Sequence, residues 1–189
     1  MGNFYLDTEE GIEKAAKYHK EKDYDNCEDE ILILKDYIDV RVERAKKIYS
    51  IYVDGSRIED ENSIECSSAV GIHTKDTTWI HNSYKELAVF TSTDLEWKAI
   101  QRGLEFYLEQ IKEGLKPHDF VIYTDSQPAA AQYAKESKIR VDSIKVIYNR
   151  VLELRDEIAR YSAAKLKDIV YIPRESNIFV HSAAIALNR

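Results

Sequence analysis

Three acidic side chains stand where the ends of regular elements should bring them together. Asp54 follows the β-branched and aromatic run 48–53, and Asp125 follows the apolar run 120–123 after a single threonine. Glu96 lies in the first turn of a long helical pattern. Carboxylates gathered at one sheet edge repel one another, so the cluster is costly unless cations sit in it, and hard ions such as Mg²⁺ prefer carboxylate oxygen. Each position also has a plainer explanation. Asp54-Gly55 is a common turn pair after a strand, and Asp125 stands where an acidic residue often caps the next helix. Thr93 with Glu96 matches a capping box. Taken together, the three read as a metal site.

The elements that must position them follow from periodicity. Residues 48–53, 67–74 and 78–84 read as three strands of a meander, with a turn at Lys75-Asp76. A long helix is expected over 94–112, stopped by Gly114 and Pro117. The short apolar strand 120–123 comes next, then a helix after Asp125. A second long helix over 142–164 places Ile144, Ile147, Val151, Leu154 and Ile158 on one stripe. A strand over 168–172 and a helix over 178–187 complete the chain. The order predicts an α/β protein with a five-stranded mixed sheet and helices on its faces. Ahead of it, residues 8–47 read as a helical hairpin with a turn near Asp23-Tyr24-Asp25-Asn26. Its plain role is an appendage on the domain 48–189; its sharper role is a surface for a protein partner or a homodimer.

Composition narrows the class of partner. The net charge of −7 runs against nucleic acid, which favours basic surfaces. Residues 1–47 carry 9 basic and 13 acidic side chains, and residues 48–189 carry 18 and 21, so the main domain is only mildly acidic. Bound divalent cations would offset part of that charge. No apolar run reaches the roughly 20 residues that span a bilayer, so no membrane role is expected. The start MGNFYLDTEE lacks a signal peptide's basic and apolar segments. Cys27 and Cys66 stand alone and fit buried or free thiols in a reducing cytoplasm.

About three quarters of the chain, residues 48–189, resembles the ribonuclease H family. A strand ending in Asp54-Gly55-Ser56 looks like that family's first catalytic motif, Glu96-x-x-Ala99-Ile100 resembles its Glu-x-x-Ala helix start, and Thr124-Asp125-Ser126-Gln127 matches its third motif. The tail Arg174-Glu175-Ser176-Asn177 is similar to the Arg-Glu-x-Asn-x-x-x-Asp ending, but His181 stands where the family has its last Asp. The resemblance implies a ribonuclease H-like fold, with helices on both faces of the five-stranded sheet. It implies catalytic and metal-ligand roles for Asp54, Glu96, Asp125 and, at the substituted position, His181. It implies two Mg²⁺ ions, with Mn²⁺ as a substitute. The implied activity is endonucleolytic hydrolysis of the RNA strand of RNA/DNA hybrids, leaving 5′-phosphate and 3′-hydroxyl ends.

Substrate contacts are implied for Gly55, Ser56, Thr91, Ser92, Thr93, Gln127, Arg174 and Asn177. Two family features are weak or missing: the connection 135–140 is only modestly basic, and the loop 172–176 has no histidine. Two alternatives therefore stand beside the active enzyme. One is a catalytically weakened module that acts by binding nucleic acid or a protein. The other is a nuclease of the same superfamily acting on DNA or structured RNA.

Overall fold

The structure is a computed structural model and describes residues 3–5, 44–76 and 78–188. The expected helical hairpin lies outside the described residues except for a helical turn at 44–47. In chain order the strands are β1 (Asn3–Tyr5), β2 (Tyr49–Glu59), β3 (Ile64–His73), β4 (Thr78–Glu86), β5 (Phe120–Thr124) and β6 (Leu166–Tyr171). The helices are α1 (Ser92–Lys112), α2 (Gln127–Tyr133), α3 (Asp142–Ser162) and α4 (Ile178–Leu187), with a 3₁₀ turn at Arg174–Ser176 before α4. The sheet order is β1-β4-β3-β2-β5-β6. The meander β2–β3–β4 is antiparallel, and β2, β5 and β6 run parallel. The five expected strands are thus joined by a sixth at the edge, where Phe4 pairs with Trp79. Part of the segment expected to be a separate extension belongs to the sheet.

Period-two alternation along β2 builds two cores. Ile51 and Val53 point into the larger one, with Ile100 and Leu104 of α1 and Val151, Leu154 and Ile158 of α3. The helical stripe read for α3 is the stripe that is buried. Tyr52 points to the other face, where it packs with Trp79 and Tyr123 of the sheet against Phe179, Val180 and Ala183 of α4. Ala45 is also buried and Arg44 lies over the Tyr123 ring, so the 44–47 turn is part of this layer. α1 is fixed lengthwise by Arg102, whose Nε and Nη2 donate to the two oxygens of buried Glu86 on β4, at 2.9 and 2.8 Å. Breaking such a buried pair costs about 3–5 kcal/mol, because one charge is left uncompensated.

Two details differ from the periodicity. α1 begins two residues early because Thr91 caps it: the Thr91 hydroxyl accepts from the Asp94 amide and donates to the Asp94 carboxylate. β4 runs on to Glu86, two residues past the expected end at 84, in register with Cys66 of β3.

Candidate metal centre

β2 does not end at Asp54. Its antiparallel pairing with β3 continues through Asp54↔Ala69 to Glu59↔Ile64, whereas its parallel pairing with β5 stops at Tyr52↔Tyr123. From Val53 onward the β5 side of β2 is open. At that point β5 turns through Asp125 into α2, capped by Ser126, so Asp125 arrives beside Asp54. The first turn of α1 closes over the same stretch. A Cβ on Gly55 would lie 2.9 Å from the Leu95 carbonyl oxygen and 2.7 Å from its Cγ, so only glycine lets the turn bearing Glu96 approach β2 this closely. Gly55→Ala should therefore push Glu96 outward and cost about 1–3 kcal/mol by overpacking. Chemical denaturation beside Mn²⁺ titration checks this, and native values for both would refute it.

From the other face, α4 brings His181 Nδ1 to 2.6 Å from Asp54 Oδ2. Asp54, Asp125 and His181 each offer a ligand atom, and these atoms all lie within 4.8 Å of one another. Arg174 donates from Nε to Asp125 Oδ2 at 3.0 Å, although its side chain is 66% exposed. A cleft of about 410 Å³ opens on the cluster, lined by Gly55, Ser56, Ser92, Glu96, Arg174 and His181 among others.

The electrostatics are those of a crowded anionic site. Asp54 is 1% exposed. Its carboxyl is pushed up to about 6, chiefly by burial and further by the Asp125 charge, against the hydrogen bond from His181. Glu96 is pushed up to about 9, again first by burial and then by Asp54 and Asp125. Buried oxygens of Glu96 (Oε2) and Asp125 (Oδ1) have no hydrogen-bond partner. Buried carboxylate oxygens without donors are what a hard cation would satisfy.

The structure thus gathers Asp54, Glu96, Asp125 and His181, and places Gly55, Ser56, Ser92 and Arg174 on the cleft wall. The capping pair is Thr91 with Asp94, not Thr93 with Glu96, so helix capping does not account for Glu96. Thr93 and Gln127 are exposed near the site but do not line the cleft. Asn177 departs from its expected substrate role: it is fully buried and donates to the Val53 carbonyl at 2.9 Å. Sequence reading missed Asn188, buried and bonded to the Ser56 carbonyl, and Arg57, which lines the cleft and pairs with Glu59. Neither carries a local signal, because one polar residue near a helix end or on a strand is commonplace.

No family model matches the chain, and no curated protein matches it in sequence. Solved structures do match in shape. Ribonuclease H1 from the archaeon Halobacterium salinarum is 17% identical, with a TM-score of 0.56 over 73% of this chain and 97% of that one. LC11-RNase H1, isolated from compost by a metagenomic approach, is 21% identical, with a TM-score of 0.60 over 75% and 97%. The same LC11 enzyme in complex with an RNA/DNA hybrid gives 22% identity and a TM-score of 0.57 over 75% and 99%. The fold is ribonuclease H-like.

Proposed function

We propose that this chain is a metal-dependent endoribonuclease that hydrolyses the RNA strand of RNA/DNA hybrids. The observation that carries the reading is the convergence of Asp54, Asp125 and His181 within 4.8 Å, with Glu96 beside them, in a cleft along an unpaired strand edge. The donor set fits divalent cations: it is rich in oxygen, buried, and keeps carboxylate oxygens without donors. Asp54, Glu96, Asp125 and His181 would hold two Mg²⁺ ions, or Mn²⁺ in their place. Such ions supply Lewis-acid activation of water and stabilise charge on the leaving 3′-oxygen.

The chain's own groups do the rest. Burial and the Asp54 and Asp125 charges favour protonated Glu96, and a bound cation would favour its ionised form. While Asp54 is ionised, His181 donates to it from Nδ1, so that nitrogen could ligate an ion only by giving up the hydrogen bond. Arg174 hangs on an exposed stem and can exchange Asp125 for a phosphate oxygen. Ser56 and Ser92 on the cleft wall, with Thr91, Thr93 and Gln127 near the rim, supply hydroxyl and amide groups for reading the 2′-hydroxyl. A groove of about 480 Å³ containing Lys135, Lys138 and Lys145 adds cations for a second strand. It tempers the expectation that this connection is too weakly basic to grip nucleic acid. Cys66 is buried, and no helix among the described residues is long and apolar enough to cross a membrane.

A second reading, a nucleic-acid-binding module with weakened catalysis, is favoured by His181 in place of a carboxylate and by Arg174 already occupying one oxygen of Asp125. Cleavage of labelled hybrid in Mg²⁺ and in Mn²⁺, beside duplex DNA and duplex RNA, separates the two. Native protein should cleave the hybrid slowly in Mg²⁺ and faster in Mn²⁺, which accepts imidazole more readily. His181→Asp should raise the Mg²⁺ rate and His181→Ala should lower it. Binding of hybrid without cleavage in either metal would leave the module reading standing.

A further inference from the structure

We propose that Asn188 is a positioning residue for the carboxylate cluster, one of two asparagines that pin α4 to the strand bearing Asp54; the proposal rests on the metal-site reading above. At the start of α4, Asn177 Nδ2 donates to the Val53 carbonyl at 2.9 Å. At its end, Asn188 Nδ2 donates to the Ser56 carbonyl at 2.9 Å. The two acceptors bracket Asp54 and Gly55. Between them, Ser67 Oγ on β3 donates to the Ala184 carbonyl at 2.6 Å. His181 is therefore carried to Asp54 on a helix tied down at both ends and near its middle.

The two asparagines answer different needs. The Tyr49 amide donates to Asp119 just ahead of β5, so by alternation the odd-numbered residues of β2 turn their backbone groups towards β5. At Val53 that side has no strand partner, and the Asn177 amide takes the place of the missing strand. Ser56 turns the other way, towards its register partner Ser67. Asn188 thus adds a donor to a carbonyl that faces a paired strand, using a second lone pair. Meanwhile the Asn188 side-chain oxygen, like that of Asn177, is buried without a hydrogen-bond partner. A buried, half-satisfied amide is a cost that a leucine of similar volume would avoid. Asn188 also ends α4 as its C-cap residue, but that role does not need its side-chain amide on β2. The position of α4 over Asp54 does.

The test uses the full chain with Asn188→Leu and Asn188→Ala, neither of which has a side-chain donor, with Asp54→Asn as control. Mn²⁺ affinity is followed by paramagnetic resonance, the His181 Nδ1 proton by NMR, and the fold by thermal unfolding. Both Asn188 variants should bind Mn²⁺ at least about tenfold more weakly, as loss of a supporting hydrogen bond around a metal site commonly does. Both should lose the slowly exchanging His181 proton, while Asn188→Leu keeps or raises the native unfolding midpoint. Native affinity together with a native His181 proton in both variants would overturn the proposal. So would weakened binding that merely tracks loss of the fold in both. If the unaltered protein and Asp54→Asn alike bind no Mn²⁺, the metal-site reading falls, and the His181 proton alone decides whether Asn188 positions the helix.

Discussion

Asp125→Asn is expected to lower hybrid hydrolysis by at least about a thousandfold while the fold survives. Cation charge stabilisation at a phosphoryl centre is worth several kcal/mol, and each 1.36 kcal/mol or so is tenfold in rate. An amide offers one neutral oxygen where the carboxylate offers two charged ones. Asp125 shares the cluster with Asp54 and His181 and holds Arg174. Without metal, the same change should raise the unfolding midpoint. It removes a negative charge that disfavours ionised Asp54 and Glu96, and the Arg174 pair it weakens has a largely exposed arginine, so solvent limits that loss. Single-turnover cleavage and thermal unfolding in a chelator measure the two effects. Hydrolysis within tenfold of the native rate would remove Asp125 from the chemistry.

Raising the pH from about 5 to about 9 without divalent cations is expected to destabilise the protein. Glu96 titrates near 4.5 when unfolded and near 9 in the fold, so the folded state holds the proton more tightly across that window. The stabilisation is fully present below the lower value and is lost as pH rises through the upper one. Asp54, moved from 3.8 to about 6, adds a similar loss at the acid end. A midpoint drop of about 5 °C or more between pH 5 and 9 is the expected scale. Glu96→Gln should flatten the upper part of the curve and leave the Asp54 part in place. Cation binding near neutral pH should expel a proton and tighten as pH rises, which calorimetry in buffers of different ionisation enthalpy detects. A flat stability profile, or binding with no proton release, would show that Glu96 is already ionised in the fold.

How much of this was legible in the residues depends on the range of the interaction. The buried stripe of α3 was legible because it follows from helical periodicity within one element. The position of Asp54 was misread as a strand end because Asp-Gly is locally a turn signal. Pairing with β3 carries the strand on, and only the parallel partner stops. The true cap of α1 was hidden because Thr91 and Thr93 are equivalent by type, and only the geometry around Asp94 separates them. Asn177 looked like a substrate contact because its motif lies beside the site, yet a missing strand partner drew it inward. That Asp54, Glu96 and Asp125 belong together was readable from their places at element ends. That Arg174 neutralises one oxygen of Asp125, and that Asn188 reaches β2, depends on contacts between residues 49 and 132 positions apart.

The same separation has a consequence for how the molecule folds. Asp54 and His181 touch across 127 residues of chain, so the pocket between them closes one of the largest loops in the fold. In a disordered chain such a meeting has a high entropic cost, and a cation has no preformed cage there. An ion at this site is therefore a ligand of the native state alone, and it adds about 2.7 kcal/mol of stability at a hundred times its dissociation constant. β2, α1, α2 and α4 must all be docked before it can bind. Release of any one of them, even with the rest of the sheet intact, opens the cage. Under the proposed function, occupancy of the pocket would report complete folding, and a partly unfolded chain would lose the cage before it could cut.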